Sequence, residues 1–319
     1  MINILANDGI SVSGIEKLNN NGFNVETTSV SQEELADSIN KNNFDVVLVR
    51  SATQIRKDII DKCPNLKIIG RGGVGMDNID VNYAEENNIL VINTPAASSS
   101  SVAELVFAHL FGMVRFLYAS NRLMPMEGDN NFKNLKKSFS KGKELRGKTL
   151  GVIGFGRIGQ EVAKRGIGLG MNILAHDKYN KEANITLNFF NGEKKTFTIE
   201  TTDIKDVLKN SDFITLHVPK LDDKAIIGAE EIGMMKTGSG IINTSRGGLV
   251  DETALMFALD KEKISYAGLD VYENEPFPSI HLLMHGAISL TPHIGAATLE
   301  AQDRIGIELA DQIISFFQK

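Results

Sequence analysis

The stretch LGVIGFGRIGQEVAKR sets Gly154, Gly156 and Gly159 in a G-x-G-x-x-G array, directly behind an apolar run and directly before residues at helical spacing. Few arrangements accept three glycines there. The first makes a tight turn and the second lets the backbone approach a pyrophosphate. The third lets helix and strand pack closely, while the helix N-terminus offers free N–H groups to the anion. Eighteen residues past Gly159, the run MNILAH ends at Asp177. A carboxylate there accepts hydrogen bonds from the adenosine ribose hydroxyls and repels a 2′-phosphate, which favours NAD over NADP. The competing reading is a turn-rich helix start with an unrelated acid nearby.

A strand–turn–helix unit of this kind belongs to a parallel sheet, and the rest of the chain repeats it. INILA, FNVET, FDVVLV, LKIIG and NILVINT read as strands within the first 95 residues. VSGIEKLNNN, SQEELADSINKN and the segment from Val81 to Asn87 carry apolar residues at helical spacing between them. A second series, KTLGVIG, MNILAHD, DFITLHV, SGIINTS, ISYAGLD and AISLT, begins near Lys148. The fold class is therefore α/β, with two doubly wound parallel sheets, which suits a chain of 319 residues better than one core would.

Between the series, SSSSVAELVFAHLFGMVRFLYASNR starts with helix-capping serines, and Glu104 follows Ser101 at capping-box spacing. The spacing predicts a helix to about Asn121, apolar on too many faces for a surface helix, which fits packing between domains or against another subunit. The last helix, from about Ala297 to Phe317, is expected to return to the first domain and so split it. ANITLNFFNGEKKTFTIE alternates around Asn191-Gly192, a hairpin signal, and is read as an insertion at about 183–200 with a decorative or subunit-contact role.

Apolar content of 42% and a net charge of −6 describe a globular chain and argue against nucleic acid. The basic cluster from Lys133 to Lys148 is read as a solvated loop. One cysteine, Cys63, forms no internal disulfide, so a reducing cytoplasm is expected and Cys63 is read as inert. The N-terminal run is too short for a signal peptide, and no stretch is long and apolar enough to span a bilayer. No cluster has metal-ligand spacing, so no metal is expected.

Three ionisable residues fall at strand ends on the carboxyl side of the second sheet, where open α/β sheets bind ligands: Arg246, Glu275 and His293. Each alone is ordinary. Together, beside a nicotinamide site, they match what hydride transfer from a secondary alcohol requires: a base, a cation for a carboxylate, and a group that tunes the base. His217 in TLHVP ends a strand and is read as lining the cofactor groove. His109 is read as core, and His176, His281 and His285 as structural or solvated.

These segments resemble the D-isomer-specific 2-hydroxyacid dehydrogenases over essentially the whole chain: RSATQI, GRGGVGMDNID, NTPAASSSSVAEL, RGKTLGVIGFGRIG, SDFITLHVP, NTSRGGLVDE, AGLDVYENEP and TPHIGAAT, in that order. The resemblance implies a Rossmann-type NAD domain, 97–293, inserted in a flavodoxin-like split substrate domain, 1–96 and 294–319. It also implies a homodimer paired through the helix at about 98–121. Carried over by motif, Arg246 binds and polarises the substrate carboxylate, His293 is the acid/base, and Glu275 is its partner. Thr244, Asp270 and Gly295 face the nicotinamide side, Val218 the adenine side, and Arg157 and Ile158 the pyrophosphate.

Within the family, VRSATQI and GRGGVGMDNID look most like the phosphoglycerate dehydrogenase branch, which implies a phosphorylated D-2-hydroxy acid, 3-phospho-D-glycerate, and a place in serine biosynthesis. Arg50 and Ser51 then lie in the substrate loop, and the backbone of Gly73, Val74 and Gly75 meets the carboxylate. A desolvated phosphate needs paired cations, for which Arg50 is the first candidate and Lys136 or Lys137 a second. Ser98 stands where the family often has asparagine, and Val74 where some relatives have threonine. The chain stops about one helix past TPHIGAAT, so no C-terminal regulatory domain is expected. Two alternatives remain: a glycerate/hydroxypyruvate reductase or D-lactate-type enzyme, and an NAD-sensing corepressor-like protein.

Overall fold

The computed structural model describes residues 1–318. They divide into two compact units, Met1–Ser101 with the residues from Ala296 onward, and Val102–Gly295. The division falls at 101/102 and 295/296, whereas the sequence reading drew it at 96/97 and 293/294. The helix Ser99–Val114 runs across the first of these points, so its opening turn is counted with the first unit.

In the first unit, β1 (Ile2–Ala6), β2 (Phe23–Glu26), β3 (Val46–Val49), β4 (Ile68–Arg71) and β5 (Leu90–Asn93) form a parallel sheet in the order β2-β1-β3-β4-β5. That is the flavodoxin-like order. The central strand β3 reads VVLV and is buried at every residue, the pattern of a strand covered on both faces. One face packs on Leu35–Lys41 and Lys57–Lys62, through Leu35, Ile39, Ile59 and Ile60. The other packs on the last helix, Leu299–Phe317, through Ile305, Leu309, Ala310 and Ile313. That helix starts where Thr298 accepts from the Ala301 N–H, and it crosses Val12–Asn20 at glycines. A Cβ on Gly306 would lie 2.1 Å from the Ser11 Oγ. Truncating the fully buried Ile313 to alanine costs about 2–5 kcal/mol.

In the second unit, β6 (Thr149–Ile153), β7 (Asn172–His176), β10 (Phe213–Leu216), β11 (Ser239–Asn243), β12 (Ile264–Leu269) and β13 (Ile288–Leu290) pair in parallel as β13-β12-β11-β10-β6-β7. The order reverses between β6 and β10, which makes the carboxyl end of those strands the switch point of a Rossmann-type sheet. The hairpin β8 (Glu182–Asn188) and β9 (Lys194–Glu200) turns at Asn191-Gly192, with Gly192 at φ +84°. Ile185 anchors it in the core beside Val162 and Ala163, and Thr201 bridges Ala175 on the outer edge of β7. Glu182 begins the hairpin and Glu200 ends it, one residue earlier than expected at the start.

Two expectations need correction. The apolar helix does not run unbroken to Asn121; it stops at Val114 and resumes as Leu117–Glu127, with Phe116 left-handed at φ 54°. The carbonyl of Val114 accepts instead from the Lys143 N–H, so the ladder is diverted to another segment at that point. The basic cluster is not all loop either. Phe132–Ser138 is helical, anchored by buried Leu135, while Lys133, Lys136 and Lys137 stay exposed. Among the described residues no single helix is long and apolar enough to cross a membrane.

Candidate active site

At the end of β6 the three glycines do different work. Gly154 sits at φ +94°, and a Cβ there would lie 2.4 Å from the His217 carbonyl. A Cβ on Gly159 would lie 2.1 Å from the Gly154 carbonyl, so helix Arg157–Gly168 packs against the turn as only glycine allows. Gly156 has no atom within 4 Å of its Cβ direction, leaving the backbone open to an approaching group. It is also the helix N-cap and supplies no side-chain cap, so Arg157 and Ile158 begin a helix whose first N–H groups face that opening.

Asp177 follows β7. Its Oδ2 accepts from the Phe155 N–H at 2.6 Å, and its Oδ1 from Tyr179 and Asn180 N–H at 2.8 and 2.9 Å. Burial alone would raise this carboxyl, but the backbone donors hold it below the usual range, so it is a fixed anion beside the glycine turn. After β10, His217 bonds Thr215 Oγ1 through Nε2 at 2.9 Å, and burial pushes its pKa down to about 3. The ring is therefore neutral. Its Nδ1 and the Oγ1 of Thr244, after β11, are buried polar atoms without a protein partner. Orphaned atoms of this kind call for an explanation. The glycine cradle, the fixed Asp177 anion, and His217, Val218 and Thr244 on successive strand ends fit a dinucleotide.

Further along the same sheet edge, the ionisable residues come together. Asn243 at the end of β11 receives the Ser245 N–H at its Oδ1 and donates its Nδ2 to the Arg246 carbonyl, folding a tight turn around Arg246. Gly247 lies where a Cβ would meet the Tyr272 carbonyl at 1.8 Å, so the Arg246 turn rests on the loop that carries Glu275. Glu275 accepts the Tyr272 N–H at Oε1, 2.9 Å, and holds His293 Nδ1 at Oε2, 2.8 Å. Burial pushes the Glu275 carboxyl up; the His293 bond, the Tyr272 N–H and the charges of His293 and Arg246 outweigh it, leaving it below the usual range. With Nδ1–H donating to a carboxylate, the tautomer assigned to His293 leaves the Nε2 lone pair available.

Asp270, fully buried at the end of β12, ties this edge to the cofactor side. It accepts from Thr291 Oγ1 at 2.6 Å and from the Ile294 and Gly295 N–H groups at 2.8 Å each. Burial raises its pKa, opposed by those donors. Glu252 and Glu273, which sequence reading missed, cap each other: each backbone N–H donates to the other's carboxylate, at 3.0 and 2.8 Å. That exchange joins the helix after the Arg246 turn to the Glu275 loop. Its only sequence trace is a pair of acids in unremarkable turns.

The residues read as substrate-binding lie in the first unit at the carboxyl ends of β3 and β4. Arg50 is half-buried; its N–H donates to Asp8 Oδ2 at 2.6 Å and its carbonyl accepts from Asn78. Asp8 also takes the Thr53 N–H and hydroxyl, so one carboxylate shapes the Arg50–Thr53 loop, with Ser51 exposed at its bend. Gly73, at φ +151°, donates to the Arg71 carbonyl, and Asn93 Nδ2 holds the Val74 carbonyl; the Val74 side chain is exposed and Gly75 half-buried. Asp8 and Asn78 were not anticipated, because an acid and an amide near loops carry no distinguishing pattern.

Elsewhere, Cys63 is fully buried and pushed up to about 11 by burial, the state of an inert thiol. His176 bonds the Thr202 carbonyl and His285 lies 3.5 Å from Asp260. Among the described residues no group of three or more His, Cys, Asp or Glu side chains has the geometry to hold a metal ion.

Residues 107–295 match the model of the D-isomer specific 2-hydroxyacid dehydrogenase family, NAD binding domain. The chain belongs to that family. Its cofactor is NAD, which the glycine turn and Asp177 fit. The chain is 44% identical to the D-3-phosphoglycerate dehydrogenase of Methanocaldococcus jannaschii over 98% of its own length and 57% of that protein, so it spans a little over half of that relative. It is also 44% identical to the hydroxypyruvate reductase of Thermotoga maritima, over 93% of this chain and 92% of that one. Among solved structures of the family, the NAD+-bound 3-phosphoglycerate dehydrogenase of Entamoeba histolytica superposes with a TM-score of 0.77 at 27% identity, covering 100% of this chain and 96% of that one.

Proposed function

We propose that this 2-hydroxyacid dehydrogenase interconverts 3-phospho-D-glycerate and 3-phosphohydroxypyruvate with NAD(H), the first step of serine biosynthesis. The observation that carries the dehydrogenase reading is the 2.8 Å contact of His293 with Glu275, under the charge of Arg246, on a sheet edge built for NAD. NAD supplies the hydride acceptor when bound. In the oxidation, His293 Nε2 takes the hydroxyl proton as hydride leaves C2, and Glu275 stabilises the imidazolium that forms. Arg246 would hold the carboxylate and the neighbouring oxygen through its fork of donors, and in the reduction polarises the keto carbonyl so that C2 can accept hydride. In the reverse direction the same proton returns to the alkoxide.

Arg50, Ser51 and the Gly73–Val74–Gly75 backbone are assigned to the substrate. Arg50, in a loop fixed by Asp8, supports a phosphorylated acid, as do the relatives named for phosphoglycerate. The match to hydroxypyruvate reductase over 92% of that protein supports a second reading, an unphosphorylated 2-keto acid. A cytoplasmic homodimer is part of the proposal; Phe111, Leu117 and Tyr118, each more than 40% exposed, supply an apolar face for it. His293→Ala tests the site: it should retain NADH binding and lose most turnover, whereas wild-type turnover would put the base elsewhere.

A further inference from the structure

We propose that His109 is a positioning residue for His293, acting through Thr291 and Asp270; the proposal rests on His293 being the acid/base. His109 belongs to a helix that otherwise buries Val106, Leu110, Met113 and Val114 in the core, and it is itself only 2% exposed. An imidazole in such a place is costly unless both ring nitrogens are bonded. They are: Nδ1 lies 2.8 Å from Ser289 Oγ and Nε2 lies 3.1 Å from Thr291 Oγ1. The ring seats against Gly268, where a Cβ would lie 2.9 Å from the His109 Cβ.

The direction of the chain follows from counting hydrogens. Asp270 receives three donors, the Thr291 hydroxyl and the N–H groups of Ile294 and Gly295, which is the pattern of an ionised carboxylate. Thr291 has one hydroxyl hydrogen and gives it to Asp270. Its oxygen must then accept from His109 Nε2–H, which leaves Nδ1 bare to accept from Ser289. Burial holds the His109 pKa at about 4, so the ring is neutral near neutrality and this tautomer persists.

The chain ends on both sides of His293. The carbonyl of Thr291 accepts the His293 N–H at 3.1 Å and the Tyr272 hydroxyl at 2.8 Å. Asp270 holds the two residues that follow. Between these ties His293 adopts φ 54°, a left-handed conformation that a non-glycine residue keeps only when its surroundings impose it. Removing the His109 tie leaves Thr291 Oγ1 held by Asp270 alone and loosens one of the two clamps that aim the catalytic ring.

The test uses the full chain with 3-phosphohydroxypyruvate and, in parallel, hydroxypyruvate, so that it is independent of which acid is preferred. His109→Met fills the space without a donor; His109→Gln restores an N–H toward Thr291; Thr291→Val removes both the acceptor for His109 and the donor to Asp270. His109→Met should fold by circular dichroism and lose about ten- to 100-fold in kcat with little change in KM, and His109→Gln should recover much of it. His109→Met with Thr291→Val should be no worse than Thr291→Val alone, as expected for one chain. A folded His109→Met with wild-type kcat, or effects of the two sites that multiply, overturns the proposal. If His109→Met fails to fold, wild-type kcat in Thr291→Val overturns it equally. His293→Ala, run alongside, separates the two ideas: an active His293→Ala removes the acid/base reading, whereas an inactive one beside a wild-type-like His109→Met removes only the role of His109.

Discussion

His293 Nδ1 and Glu275 Oε2 lie 2.8 Å apart, eighteen residues apart in sequence and on the loops after β13 and β12. The carboxylate accepts from Nδ1–H, fixes the tautomer and faces the ring with a negative charge. An amide in its place loses the charge and can turn its own N–H₂ toward Nδ1, inverting the tautomer. Glu275→Gln should therefore lower kcat by about 10²-fold or more, with NADH affinity retained in a fluorescence titration. Unchanged kcat would dissociate the pair from catalysis.

Arg246 is held by a tight turn, one arm of its guanidinium donates to the Ser245 carbonyl at 2.7 Å, and the proposal has it grip the substrate as a fork of donors rather than a point charge. Arg246→Lys keeps the charge and loses the bidentate geometry. Steady-state kinetics should show kcat/KM lower by about 30-fold, the equivalent of roughly 2 kcal/mol. Near-normal kinetics would make Arg246 an ordinary solvated residue after a strand.

Asp177 spends its carboxylate on three backbone N–H groups while facing the cofactor turn. Asp177→Ala should narrow the ratio of kcat/KM for NADH over NADPH, because the fixed negative charge that repels a 2′-phosphate is gone. It should also cost about 1–3 kcal/mol in a urea titration, since the Phe155 N–H loses its acceptor. An unchanged coenzyme ratio would move selectivity away from this carboxylate.

His109 makes stability depend on pH in a definite sense. Its folded-state pKa is lowered from 6.5 to about 4, so between those values the unfolded chain binds a proton that the folded chain does not. Stability from this group is full above about pH 6.5 and falls as pH drops toward 4, by about 1.4 kcal/mol per pH unit. In His109→Gln, the difference in unfolding free energy between pH 7 and pH 5 should shrink by about 2 kcal/mol. The same pH dependence in wild type and variant would show that His109 is not a neutral buried histidine.

Much of this was legible in the sequence because local chemistry carried it. The strands of both sheets are near-continuous apolar runs, and the glycine turn, Asp177, Arg246, Glu275 and His293 sit where strand ends announce them. What was not legible depends on partners distant in the chain. At the helix break the Val114 carbonyl bonds the Lys143 N–H, a partner 29 positions away, and nothing near Phe116 signals it. His109 reads as a core residue until Thr291, 182 positions away, is folded against it. Asp8, Glu252 and Glu273 matter through backbone N–H groups, which carry no sequence signature.

The most direct measurement is the ratio of kcat/KM for 3-phosphohydroxypyruvate over hydroxypyruvate, with NADH, for the wild type and for Arg50→Ala. The wild type should prefer the phosphorylated acid by about tenfold or more, and Arg50→Ala should lose most of that preference by raising KM for the phosphorylated acid alone. Equal or greater activity of the wild type on hydroxypyruvate would contradict the phosphoglycerate assignment and leave the chain a reductase of unphosphorylated 2-keto acids.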